Sequence, residues 1–101
     1  MNDGRWFVYL VECTTGRIYT GVTPRLDDRM TAHKRGRGAL FTRINPPERL
    51  LGAKPFADRR EAQRIESQVK RLPAAYKRVL AAEWSQQHPI DERAQKALAL
   101  G

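Results

Sequence analysis

From Trp6 to Cys13 the chain reads WFVYLVEC, a run of aromatic and β-branched residues closed by Thr14-Thr15-Gly16, and this pattern predicts a β-strand. Arg17 to Val22 predicts a second strand. The connection is short, so the two form an antiparallel hairpin, with Gly16 suited to the left-handed position of a three-residue loop. With Thr14, Thr15 and Gly16 as the loop, Cys13 faces Arg17, Val11 faces Tyr19 and Tyr9 faces Gly21. Tyr9 and Tyr19 then share one face as diagonal neighbours, within reach of each other's side chains. A two-residue loop would put them on opposite faces, because one residue of slip inverts the pattern. Gly21 opposite Tyr9 is expected to leave open space beside the ring.

A helix is expected next, with Thr23 as its N-cap and Pro24 as its first residue. Asp27 and Asp28 suit the positive end of the helix dipole. Leu26, Met30 and His33 share one side, Arg29 lies one turn before His33, and Gly36 marks the stop. GRGALFTRINPP, residues 36 to 47, predicts a loop. Leu50 to Phe56 predicts a third strand, placed at an edge or end by Pro55. Asp58 and Glu61 resemble a capping box, and the helix after them carries Ala62, Ile65, Val69 and Leu72 on one face, with Glu66 beside that face and Lys70 one turn on. Pro73 is expected to start another helix bearing Tyr76, Val79, Leu80 and Trp84. Residues 88 to 101 predict a final amphipathic helix through Ala94, Ala97 and Leu98.

Length and charge narrow the function. A chain of 101 residues is one domain's worth of core. Its 19 basic and 11 acidic residues give +8, which points to a polyanionic partner, nucleic acid first. The one cysteine, Cys13, excludes an intrachain disulfide and a thiolate metal cluster and reads as a small buried hydrophobe. The longest apolar run, Trp6 to Val11, is too short for a membrane span. The start, Met-Asn-Asp, lacks a signal pattern, so the reducing cytoplasm is the expected location.

Strand, strand, helix, strand, helix, helix is the order, and on it stand Tyr9, Tyr19-Thr20-Gly21, Arg29, His33 and Glu66. In this the chain resembles the GIY-YIG nuclease family. Phe7-Val8-Tyr9 stands where the family has Gly-Ile-Tyr, and Tyr19-Thr20-Gly21 where it has Tyr-Ile-Gly. Arg29 follows the second tyrosine by ten residues and a helical glutamate, Glu66, comes later. The resemblance covers about residues 5 to 80, leaving residues 81 to 101 as a C-terminal helical extension, and the short form is most similar to small stand-alone bacterial members. An asparagine that the family often carries after the glutamate has no counterpart in VKRLPAAYKR, residues 69 to 78.

The resemblance implies an α/β (α+β) fold with a three-stranded antiparallel sheet flanked by helices, and a metal-dependent endonuclease that hydrolyses DNA phosphodiester bonds in repair or processing. Its implied catalytic residues are Tyr9, Tyr19, Arg29, His33 and Glu66, with Glu66 as ligand to one divalent cation, Mg²⁺ or Mn²⁺. One carboxylate can hold a single hard cation together with waters and substrate phosphate. Tyr19 is the implied general base. A phenol titrates near 10, so it needs neighbouring positive charge, which Arg29 and the ion would supply. Arg29 suits hydrogen bonding to the phosphate, His33 relays a proton or orients Tyr19, and Tyr9 positions the nucleophile or a phosphate oxygen. Lys34, Arg35, Arg37 and Arg43 surround Phe41, combining phosphate contacts with a stacking ring, and Lys70 is a further phosphate contact. The expected partner is DNA, with RNA as the alternative substrate; the oligomeric state stays open, a monomer being one option. Two rival readings are a nucleic-acid-binding module that keeps the fold without efficient cleavage, and a protein-interaction domain.

Overall fold

The computed structural model describes residues 4–99. At its centre lies β1 (Trp6–Cys13), paired antiparallel on one side with β2 (Ile18–Thr23) and on the other with β3 (Pro47–Phe56), in the order β2-β1-β3. Four successive residues of β1, Val8 to Val11, are fully buried, which is why this strand reads as an unbroken apolar run: helices cover both faces of the sheet. The hairpin has the expected three-residue loop, with Gly16 at φ +84°, and the register sets Tyr9 opposite Gly21 and Val11 opposite Tyr19.

Alternation along β1 divides the molecule into two cores. Val8 and Leu10, with Ile18 of β2, pack against Ala62 and Val69 of α3 (Arg59–Lys70) and Ala81 and Trp84 of α4 (Ala74–Gln87). Tyr9 and Val11 face the other way, onto Leu26 and Met30 of α1 (Leu26–Lys34) and Ala94 and Leu98 of α5 (Glu92–Ala99). The three-stranded antiparallel sheet between two helical layers is the expected α+β architecture. Cys13 is buried and unpaired, as a small hydrophobe would be.

The outer edge of β3 is shielded by side chains. Gln95 of α5 accepts from Leu50 N at 3.0 Å and donates to Leu50 O at 3.0 Å, standing in for a fourth strand at one residue. Pro55 lies in this edge strand, where its missing N–H removes no central ladder bond. On the neighbouring surface α4 lies against the backbone of β3: a Cβ at Gly52 would stand 2.7 Å from the Ala81 carbonyl oxygen. Glu12 ties the hairpin to the same helix, accepting from Arg78 and, at 3.1 Å, from Arg49. Those hydrogen bonds, Arg78's first, hold its carboxyl below the usual range.

Several boundaries differ from expectation. Thr23 belongs to β2, paired with Phe7, and its hydroxyl bonds the backbone of Arg25; α1 therefore begins at Leu26 with Arg25 as N-cap, two residues beyond Pro24. Gly36, at φ +73°, ends the helix as expected. Residues 36–47 are more than a loop, since they contain α2 (Leu40–Ile44), and β3 begins at Pro47 rather than Leu50. Asp58 caps α3 by accepting from Glu61 N, whereas Pro73 precedes α4 as its N-cap. Tyr76 and Val79 do not join the core: they are 64% and 58% exposed, because the buried stripe of α4 centres on Ala81 and Trp84 and turns them outward. Leu72, beyond the end of α3, is 36% exposed. The final helix, expected from residue 88, begins at Glu92 and is described as far as Ala99; residues 100 and 101 of the expected helix lie outside the described residues.

The Gly52–Ala81 approach yields a direct test. Gly52→Val drives a side chain into helix backbone that cannot rotate aside, and should cost about 3 kcal/mol in urea denaturation. A loss under about 1 kcal/mol, the range of tolerated volume changes, would show that α4 does not lie this close.

Candidate active site

The hairpin register brings the two tyrosines together, and Gly21 makes room for them. Their ring centroids are 6.1 Å apart, and a Cβ on Gly21 would meet Tyr9 Cζ at 2.6 Å and Tyr19 Cε2 at 2.8 Å. The space expected to be open beside Tyr9 is thus filled by the tyrosines themselves. They differ in exposure: Tyr9 is 0% exposed, whereas Tyr19 is half-buried.

Helix α1 lays Arg29 and His33, one turn apart, against this pair. Arg29 Nε donates to Tyr9 Oη at 3.1 Å, Tyr9 Oη is 2.7 Å from His33 Nε2, and His33 Nδ1 is 3.0 Å from Thr42 Oγ1. The direction of the chain follows from its last member. Thr42 has one hydroxyl proton and gives it to the Ala39 carbonyl at 2.9 Å, so toward His33 it can only accept. His33 therefore carries its proton on Nδ1 and accepts at Nε2 from Tyr9, whose oxygen accepts from Arg29. Every donor points one way, from guanidinium to backbone carbonyl.

The proton affinities agree with that direction. Burial raises the Tyr9 phenol well above its usual range, against the pull of the Arg29 hydrogen bond, with Tyr19 and Glu66 adding to the rise. Tyr9 is a neutral donor. Burial, and then the Arg29 charge, lower His33 from 6.5 to about 4. Burial also works against the Arg29 charge, but its interactions with Tyr9 and then Tyr19 outweigh this and raise its pKa.

Two participants had no signal in the sequence. Thr42 is one small polar residue in a segment read as loop. Gly38 is needed because a Cβ there would collide with His33 Nδ1 and lie 2.7 Å from Thr42 Oγ1. Phe41 is not the free ring expected for stacking on bases. It stacks on Tyr19, with centroids 5.8 Å apart at 30°. Lys34, Arg35, Arg37 and Arg43 are exposed.

Glu66 comes to the site from α3, close enough for its charge to act on Tyr9. Its side chain is 16% exposed and pairs loosely with Lys70 at 3.5 Å. Lys77, absent from the expected set, adjoins Lys70: burial and then that neighbour lower its pKa. Among the described residues no group of three or more His, Cys, Asp or Glu side chains could enclose a metal ion. The donor set suits one hard cation on Glu66, completed by water and substrate oxygens, and does not suit a two-metal centre.

His33 makes the site pH-sensitive in a defined window. Its folded pKa lies below its unfolded one, so its contribution to stability is complete above 6.5 and is lost as pH falls toward about 4. Wild-type stability should drop by about 1.4 kcal/mol per pH unit between these limits, over and above other groups. His33→Gln, neutral throughout, should lack that component in denaturation curves, and an unchanged slope would contradict the burial of a neutral His33.

Comparison with known proteins follows the same residues. The GIY-YIG catalytic domain matches residues 5–79. A UPF0213 protein of Nitratidesulfovibrio vulgaris is 51% identical over 75 residues, 74% of this chain and 68% of that protein. UPF0213 protein XAC3202 of Xanthomonas axonopodis pv. citri is 47% identical over 72 residues, 71% of each. The solution NMR structure of UPF0213 protein BH0048 from Bacillus halodurans is 38% identical, covering 78% of this chain and 84% of that one with a TM-score of 0.49. The matched span contains both tyrosines, Arg29, His33, Thr42 and Glu66, and the chain belongs to the GIY-YIG catalytic-domain family of nucleases.

Proposed function

We propose that this protein is a metal-dependent endonuclease that hydrolyses DNA phosphodiester bonds. The observation that carries the reading is the directed chain that fixes Arg29 beside a buried, neutral Tyr9 and a half-buried Tyr19. A preorganised guanidinium costs no rearrangement when negative charge develops on a phosphate, which is where electrostatic catalysis gains most. Arg29 commits its Nε–H to Tyr9, leaving its terminal N–H groups for Tyr19 and for a phosphate oxygen.

Tyr19 is the residue with access to a water molecule. As general base, its phenolate oxygen would take the proton of the attacking water, with the Arg29 guanidinium beside it. Tyr9 and His33 are positioning residues on this reading: they hold Arg29 and Tyr19 in place and do not touch substrate. Glu66 would hold the divalent cation, Mg²⁺ or Mn²⁺, which when bound supplies a Lewis acid for the phosphoryl oxygen and acidifies coordinated water. Lys34, Arg35, Arg37, Arg43 and Lys70 supply cations for the flanking phosphates, and a chain of +8 would bind them in a salt-dependent way.

Two substitutions test these roles. Tyr19→Phe keeps the ring that stacks on Phe41 and removes the hydroxyl, so it should fold and bind DNA as wild type while losing roughly 10²–10⁴ in cleavage rate. A near wild-type rate would remove Tyr19 as the base. Glu66→Ala should fold, still bind DNA and lose cation-dependent cleavage. If wild type binds but cuts neither linear, supercoiled, nicked, branched nor single-stranded DNA with either cation, the chain is instead a binding module, a reading that the absent asparagine between residues 69 and 78 favours.

A further inference from the structure

Helix α2 has one face held by the site and the other left bare. On the held face Phe41 stacks on Tyr19 and Thr42 closes the His33 chain. Asn45, just past the helix, donates to Phe41 O at 3.0 Å and accepts from Thr15 of the hairpin loop at 3.0 Å. The helix is therefore fixed to the site through Phe41 and Thr42 and to the hairpin loop through Asn45. On the bare face stand Leu40 and Ile44, each 68% exposed, more than any other large apolar residue described. Four positions apart on a helix, they form one ridge.

What sets this ridge apart from exposed Tyr76 and Val79 is its place on a helix whose other face packs on the candidate site, with basic residues around it in sequence. Its surroundings say what would cover it. Lys34, Arg35, Arg37 and Arg43 are all exposed on and before the same short helix, so the occupant carries negative charge and also offers apolar surface. Intact duplex DNA meets the first requirement but hides its base faces in the stack. DNA with unpaired or unstacked bases meets both, and apolar side chains inserted against opened base steps are an established means of holding such DNA. Phe41 rests on Tyr19 from the other face, so the ridge stands on the helix that packs against the residue read as the base.

We infer that Leu40 and Ile44 contact the faces of unstacked bases next to the scissile phosphate, so that the preferred substrate is DNA already opened there by a bubble, a flap or a mismatch. This inference rests on the nuclease reading of the same site. It is a statement about substrate class and needs no further cofactor.

Binding without a divalent cation tests it apart from catalysis. Fluorescence anisotropy would compare a perfect duplex with the same duplex carrying a short bubble that contains 2-aminopurine. Wild type should bind the bubble about tenfold more tightly and change the 2-aminopurine emission, a stacking-sized effect. Leu40→Ser/Ile44→Ser removes no charge and alters only exposed positions, so it should lose the preference while keeping duplex affinity and salt slope. Equal wild-type affinity for both DNAs, a preference that survives in the double variant, or a concentration-dependent dimer that the variant abolishes would each overturn the inference, the last by assigning the ridge to a second copy of the chain. Cleavage by wild type with no such preference leaves the nuclease reading standing; the preference with no cleavage in Mg²⁺ or Mn²⁺ overturns that reading alone.

Discussion

A phenol hydroxyl with no access to water must find its partners inside the protein, and Tyr9 finds them in Arg29 and His33. Much of the architecture follows from satisfying that group. It fixes how α1 lies across the hairpin, since two residues of that helix one turn apart must both reach one oxygen. His33, once bonded to Tyr9, needs an acceptor at its other nitrogen, and Thr42 brings α2 to the site to provide it. Two glycines complete the arrangement by absence: Gly21 leaves room for the tyrosine rings, and Gly38 leaves room for the imidazole.

The chain has a direction because it ends on a group that can only accept. A backbone carbonyl cannot reverse its role, so the hydroxyl of Thr42, the tautomer of His33 and the proton of Tyr9 are all set from that end. Fixed polarity leaves the Arg29 charge beside a neutral imidazole and a neutral phenol. A phosphate would meet a guanidinium already oriented and incompletely neutralised, which is the condition for strong transition-state binding in a site with limited water.

The C-terminal helices brace this surface from behind. Ala94 and Leu98 of α5 share a core with Tyr9 and with Leu26 and Met30 of α1, so the helix that carries Arg29 is held by a second helix that packs with it against the sheet. Gln95 binds the same helix to the edge of β3, and Glu12 joins Arg78 of α4 to the hairpin. Residues past the matched domain thus support the site through packing without adding a reactive group to it.

Local physics was legible in the sequence. The apolar run of β1, the glycine turn and the loop length determined the hairpin and its register, and through them the pairing of Tyr9 with Gly21 and the meeting of the two tyrosines. The same holds for the cap at Asp58, the stop at Gly36 and the spacing of Arg29 and His33, because each depends on neighbours a few residues away. What only the tertiary structure decided concerns groups brought together across the chain. Tyr9 and Tyr19 look alike as strand aromatics, yet helices on both faces enclose one and leave the other half-open. Thr42 gained a role from His33, and Phe41 was taken from solvent by Tyr19, both inside a segment whose turn-rich composition conceals a helix. Tyr76 and Val79 show the converse: their spacing suits a core face, but Gly52 draws α4 in at Ala81 and rotates them outward. Burial and hydrogen-bond partnership are properties of the packed whole, and no window of sequence contains them.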